Sequence, residues 1–365
     1  MDLALTPEQA QLRDTVERFG REEYSFARWR AATASPGGFD AARWVRMAEL
    51  GWLAINVPEE AGGVGGSAVD TMVVMEGVGR HLMLEPVVST GVVGAFLLAR
   101  SGPEGRALLP GLAEGRTRVV LAHAEPGGGF DATPVATRAE QGPDGTLLHG
   151  EKSHVPDAET ADWIVVPARN GTADDVTLFL VARDAPGMRR TDFRAADHSR
   201  SSALSLDGVP ATVLCDPADG AALLDEAMDR AAAARVAEAV GAMDALRDST
   251  LDYIRTRRQF GVPIGSFQAL QHRIADMAVA CEEARSLACM ATLMLDAPAA
   301  ERRRAVSAAK ARVGQAALAV GNGAVQLHGG IGTSDELPVS HYLRRLMAID
   351  LAYGNAAFHL ERFAG

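Results

Sequence analysis

The chain has little cysteine: three residues in 365, Cys215, Cys281 and Cys289. All stand in apolar segments without the paired spacing of a metal site, which speaks against a metal centre and against a disulfide scaffold. Three buried thiols suit a reducing cytosol, so a cytoplasmic protein is expected. No uninterrupted apolar run reaches membrane-spanning length, and Met1-Asp2 opens without a basic n-region. Neither a membrane segment nor a targeting peptide is therefore expected. Positive charge is in deficit too. Lys and Arg number 36 against 47 Asp and Glu, a net charge of −11, which argues against nucleic acid and anionic membranes as general partners. The glycine-rich stretch PEEAGGVGGS (58–67) lacks the Gly-Lys-Ser/Thr ending of a phosphate cradle and reads as a connector. The positive charge that is present gathers at Arg255–Arg258 and Arg302–Arg304, which leaves a small anionic ligand open.

At 47% hydrophobic residues the chain can bury a large core and split into two or three domains. Residues 1–116 read as helical. Thr6-Pro7-Glu8 places a capping hydroxyl before a proline at the first helical position, and Leu5, Leu12, Val16 and Phe19 mark an apolar stripe. ASPGGFD (34–40) breaks this region between helices. Residues 117–217 change period. RVVLAHAE, TLLHGEKSHV, WIVVPAR, VTLFLVARD and ALSLDGVPATVL are short β-branched runs, parted by hairpin signals at Gly-Pro-Asp-Gly (142–145), Asn-Gly (170–171) and Asp-Gly (207–208). An antiparallel β domain is expected there. Residues 218–365 return to helical spacing, with long helices to about residue 256, over 268–295 and over 302–327, the pattern of a four-helix-type bundle. The fold class is thus α+β multidomain, with β between two helical parts.

Two segments carry chemistry. RTRRQFGVPIGSFQALQHRIADM (255–277) interrupts helical sequence with Gly261, Pro263 and Gly265, so the chain reverses there. Arg257 and Phe260, three apart near the helix end, would project together at the corner, where an arginine beside an aromatic suits a pyrophosphate and a planar ring. The same arginines also suit the helix C-terminal dipole, and residue type alone does not choose. In QLHGGIGTSDELPVSHYLRRL (326–346) a helix ends at Gly329-Gly330, where backbone could pass close to a ligand and Gln326 could donate an amide. Taken alone, the segment is read first as an ordinary glycine cap.

Together these segments resemble the acyl-CoA dehydrogenase family of flavoproteins, whose R-x-x-F-G…Q…A-D-M and Q-x-x-G-G-x-G stretches they match. LAHAEPGGGFD (121–131) is similar to the family's T-E-P-x-x-G-S-D loop and GEKSHVPDA (150–158) to its G-x-K-x-W-I-T-N strand. The resemblance runs end to end. It implies the helix–β–helix acyl-CoA dehydrogenase fold, FAD as cofactor, an acyl-CoA thioester as substrate, a place in fatty acid metabolism, and tetramers built as dimers of dimers. It further implies that Arg257, Phe260, Gln268, Gln326, Gly329 and Gly330 reach a neighbouring subunit's FAD. His123, Ala124, His154 and Pro156 would then line the flavin held by this chain's own β domain. The family hands electrons to an electron-transfer flavoprotein.

The departures from the pattern matter as much. The family removes a proton α to the thioester carbonyl with a glutamate, which needs a carboxylate near the α-carbon. In most members it follows the Gln-Gly-Gly segment, and here LAYGNAAFH puts Tyr353 at that position. Other members carry it on the helix before R-x-x-F-G, where ungapped counting from Gly261 reaches Ala231. Asp229, Glu226 and Asp350 are the nearest carboxylates, each read first as a solvated helix residue. Around the flavin, the family's threonine becomes Ala124, a serine becomes Phe130, and the ring-flanking tryptophan and threonine become His154 and Pro156. Proline offers no N–H. The tail resembles small subunits of two-component bacterial enzymes acting on dicarboxylyl (pimeloyl-type) or steroid side-chain CoA esters. A half-site subunit paired with a larger paralogue is therefore expected. The alternatives are a self-sufficient homomer with a relocated carboxylate and a flavin-free structural relative.

Overall fold

Thr6 opens the first helix by a reciprocal cap: its hydroxyl accepts from the Gln9 N–H at 3.3 Å and its own N–H donates to the Gln9 side chain at 3.1 Å. In the computed structural model, which describes residues 4–133, 135–142, 145–170 and 176–365, that cap begins α1 (Pro7–Glu23). Then come α2 (Phe26–Thr33), α3 (Ala41–Glu49), α4 (Ala68–Arg80), a π-helical stretch at Val87–Gly94, and the short α5 (Ala95–Ala99), α6 (Pro103–Arg106) and α7 (Leu109–Ala113). Seven strands occupy the middle: β1 (Val119–Leu121), β2 (Arg138–Gly142), β3 (Gly145–Pro156), β4 (Trp163–Asn170), β5 (Val176–Ala182), β6 (Met188–Arg194) and β7 (Arg200–Val213). The long α8 (Pro217–Thr256) leads to a two-stranded hairpin, β8 (Arg258–Gln259) and β9 (Val262–Pro263). After it come α9 (Gln268–Leu293), α10 (Ala299–His328), α11 (Pro338–Leu351) and α12 (Ala356–Ala364). None of the described helices is long and apolar enough to cross a membrane.

By packing, the described residues form two units. One holds residues 4–31, 68–83 and 232–365. Its core runs along α8, α9, α10 and α11, with Val240, Met243, Cys281, Val306, Val313 and Leu346 almost wholly shielded. Here α4 and α8 cross at van der Waals distance. A Cβ on Gly79 would sit 1.8 Å from the Glu238 carbonyl oxygen, and one on Gly241 the same distance from that of Glu76. Any larger residue at either site would force the helices apart.

The other unit holds residues 32–67 and 84–231. Its sheet runs β1-β4-β2-β3-β7-β5, with β4 also paired to β5 and β6 to β7, so the strands from β4 round to β5 close on themselves. Pairing is antiparallel except for β1 with β4 and β2 with β4, which are parallel. Val120, Leu148, Val166, Phe179 and Val209 fill the interior. Gly142 and Gly145 pair at a hairpin, as expected, though Pro143 and Asp144 between them lie outside the described residues. So does Gly171 of the Asn170-Gly171 signal. Asp207-Gly208 is a correction. It is no turn but lies inside β7, where the register against β3 shifts at Leu148/His149. Gly208 has a φ of 67° there, so a bulge uses the same left-handed backbone that a turn would. The thiol expectation is also corrected: Cys281 is buried, whereas Cys215 and Cys289 are only partly so.

Candidate functional site

The arginine segment lies in the bundle unit. α8 stops at Thr256, and Arg257 and Phe260 follow directly at the corner. Phe260 and Gly261 are the two loop residues of the β8–β9 hairpin, with φ of 52° and 82°. A tight hairpin needs both in the left-handed region to match strand twist. Arg258 steadies the loop by donating from Nη2 to the Gly261 carbonyl at 2.9 Å, and the Arg257 carbonyl accepts from Ile264 N–H at 2.8 Å. Phe260 is 92% exposed, and Phe267 meets its ring only edge-on, centroids 6.2 Å apart. The guanidinium of Arg257 is exposed and has no ion-pair or hydrogen-bond partner among the described residues. Gln268, exposed, begins α9.

Gln326 is exposed in the last turn of α10, and Gly329 ends that helix with a φ of 66°. A Cβ built on Gly329 or Gly330 would touch nothing within 4 Å. No neighbouring side chain crowds these glycines, so the backbone is open to an approaching ligand.

In the β unit, Ala124 and His154 face each other across an isolated antiparallel bridge, and Ser153 N–H donates to the Ala124 carbonyl at 2.9 Å. The resemblance thus pointed to residues that the fold does bring together. The His154 ring meets the Ser201 hydroxyl at 3.2 Å and the Phe193 ring at 5.8 Å. Pro156 ends β3, paired with Ser201. Burial pushes the His123 imidazole down to about 3, with the nearby Lys152 and His154 adding to it, so it is neutral at physiological pH. Phe130 sits half-buried in the loop that follows.

Sequence reasoning missed the anchor of this region. Lys152, wholly buried, donates from Nζ to Glu125 Oε1 at 2.7 Å and to the Pro167 carbonyl at 2.8 Å. Glu125 also accepts from Thr137 Oγ1 at 2.6 Å and Ala136 N–H at 2.5 Å. The signal was available, since Glu125 is the E of E-P and Lys152 the K of G-x-K.

The carboxylate candidates are not solvated residues, which corrects the first reading of them. Asp229 is 1% exposed. Glu226 is half-buried and accepts from Arg230 at 2.7 Å. Asp350 is half-buried, and its Oδ1 accepts from Ala356 N–H at 3.3 Å. Ala231 is buried. Tyr353 has a φ of 58° in a turn held by two side chains. Lys310 Nζ donates to the carbonyls of Asp350 and Gly354 at 2.8 and 2.7 Å, and His359 Nε2 to that of Tyr353 at 3.0 Å.

The chain thus runs from helices through a β middle to helices again, with an arginine hairpin after α8 and an open glycine turn after α10. Family models for the acyl-CoA dehydrogenase N-terminal, middle and C-terminal domains match residues 6–116, 120–209 and 218–364. The chain belongs to the acyl-CoA dehydrogenase family. It is 30% identical to the probable acyl-CoA dehydrogenase YngJ of Bacillus subtilis, over 98% of this chain and 97% of that one. Among solved structures it is similar to a variant of the Tcur3481-Tcur3483 steroid ACAD, with TM-score 0.90 and 31% identity over 98% of this chain and 96% of the other. It is also similar to the ChsE4-ChsE5 complex from Mycobacterium tuberculosis, with TM-score 0.90 and 25% identity over 100% and 98%.

Proposed function

We propose that this chain is the half-site, smaller subunit of a heteromeric FAD-dependent acyl-CoA dehydrogenase, working in the cytoplasm. Its segments 1–116, 117–217 and 218–365 serve as the three domains. Arg257, Phe260, Gln268, Gln326, Gly329 and Gly330 are lent to FAD in a larger paralogous partner that brings the proton-removing carboxylate, in a tetramer. The carrying observation is the 92% exposure of Phe260 near an Arg257 guanidinium that has no partner among the described residues. A cation suits the pyrophosphate, an exposed ring suits a planar surface, and the open Gly329-Gly330 backbone leaves room for both.

The residues of the chain's own β domain fit the cofactor less well. Pro156 has no N–H to donate, and the His154 ring is already engaged by Ser201. FAD, when bound, supplies the acceptor for the hydride of α,β-desaturation. This chain's residues hold its charged middle and cover its ring. That two similar solved structures are named as pairs supports a heteromer. The substrate is an acyl-CoA thioester, of steroid side-chain or dicarboxylyl type, and an electron-transfer flavoprotein is the electron acceptor.

The test is purification alone and with a co-expressed partner. Alone, the chain is expected pale and inert toward acyl-CoA with an artificial acceptor, gaining flavin and turnover together with the partner. Bright flavin and brisk turnover from the lone chain would overturn the proposal. A self-sufficient homomer is the second reading, favoured by Asp229, a carboxylate 1% exposed two residues before Ala231. Under it the lone chain turns over and Asp229→Asn abolishes that activity. A flavin-free relative would bind no FAD in either preparation.

A further inference from the structure

Within the bundle unit the start of α2, the end of α4, the last turns of α8 and the α10–α11 connection line a solvent-open cleft of about 450 Å³, a volume in the range of small-molecule sites. Its walls are aromatic. Phe26 and Trp29 stack with centroids 5.8 Å apart, and Tyr253 lies over His328 at 4.3 Å.

Four hydroxyls on those walls have used their hydrogens. Ser249 donates to the Leu246 carbonyl at 3.0 Å, Thr256 to that of Asp252 at 2.9 Å, Tyr253 to that of His328 at 3.3 Å and Tyr342 to that of Arg80 at 2.5 Å. His328 Nδ1 faces the Ala324 carbonyl at 2.9 Å and must be its N–H. Burial holds this imidazole below its usual pKa, so Nε2 keeps a lone pair. What these groups leave toward a ligand is lone pairs, together with the carboxylate of Asp252. That carboxylate is exposed and has no ion pair or hydrogen bond among the described residues. Aromatic faces favour a cation over them, and unpaired acceptors need a donor.

We propose that this cleft binds a small organic cation, an ammonium group carried on a flat apolar body, with the ammonium at Asp252 and the body between the Trp29 and Tyr253–His328 walls. The site uses none of the residues assigned to FAD or to proton removal, so it stands or falls apart from that reading.

Calorimetry at neutral pH on the full chain, in complex with its partner if the two copurify, tests it with three probes of one size: 2-phenylethylammonium, 2-phenylethanol and 3-phenylpropanoate. The ammonium is expected to bind at least about tenfold tighter than the alcohol, and the carboxylate not measurably. Asp252→Asn, on an exposed helix face, is expected to bring the ammonium down to the alcohol's affinity. Ala245→Phe, which fills the cleft from α8, should remove binding of both. The proposal is overturned by an ammonium that binds no tighter than the alcohol, by a preference that survives Asp252→Asn, or by three silent probes.

Discussion

Lys152 and Glu125, 27 residues apart in sequence, meet at 2.7 Å with the lysine side chain wholly out of solvent. The pair locks β3 to the loop that follows β1, and so sets where Ala124 and His154 lie. Burial works against the charge on both partners, and it wins at the lysine, whose pKa falls to about 8. At Glu125 the ammonium and three further donors outweigh it and hold the carboxyl below its usual value.

Glu125→Gln leaves that ammonium facing a neutral amide, at an expected cost of about 3–5 kcal/mol, as for breaking a buried pair from one side. The pH dependence has a definite sign. A carboxylate with a lowered folded pKa stabilises fully above its unfolded value and loses that contribution as pH falls through the folded one. Urea unfolding of the wild type should therefore weaken on acidification below about pH 4, and the Glu125→Gln profile should be flatter there.

Phe260 separates stability from function. A non-glycine residue held in the left-handed region costs about 1 kcal/mol, and its exposed ring has little packing to lose. Phe260→Gly is expected to leave the melting temperature of the lone chain unchanged or slightly raised. In the heteromer the same substitution should loosen flavin, read by the fraction retained after gel filtration.

Arg257→Ala should weaken FAD in the heteromer by about 1.5–3 kcal/mol, the range for a hydrogen bond to a charged group. Arg257→Lys should recover only part of this, because a point charge does not reproduce the guanidinium fork. Unchanged flavin titrations for Arg257→Ala would contradict the clamp.

Lys310 makes an independent prediction about the Tyr353 turn. Burial pushes its ammonium down to about 7 from 10.5, with Arg235 adding to the shift and Asp350 opposing it. Between those values the unfolded chain binds the more protons, so the stability contributed at this site rises with pH. Lys310→Met should flatten that rise. It should also cost about 1–3 kcal/mol for each carbonyl orphaned at Asp350 and Gly354, measured by chemical denaturation across pH 6.5 to 10 (roughly the titration window).

The helices were legible because their signals are local: the Thr6 cap, the stripe through Val16 and Phe19, and the spacing of Val240 and Met243 in α8. β2 and β6 escaped notice. Arg138–Gly142 and Met188–Arg194 are mostly polar and exposed, so they lack the apolar alternation that marks a strand. Asp207-Gly208 misled because a bulge and a hairpin ask the same of a glycine. The β8–β9 hairpin was hidden for the opposite reason, since Phe260 is an unusual occupant of a left-handed turn position.

Site residues were legible as types and not as partnerships. The chain shows an arginine near a phenylalanine, but not that the Arg257 guanidinium has no partner among the described residues while Arg258 is tied to Gly261. The burial of Asp229 could not be read from a helix whose face depends on its neighbours. Nor could the contact of Lys152 with Glu125, because pairing between distant strands follows no spacing rule.

The hairpin tip also offers a place for an optical reporter. Phe260→Trp would set an indole in water at the tip of the β8–β9 hairpin, and its emission would move to shorter wavelength wherever another surface settles over that tip.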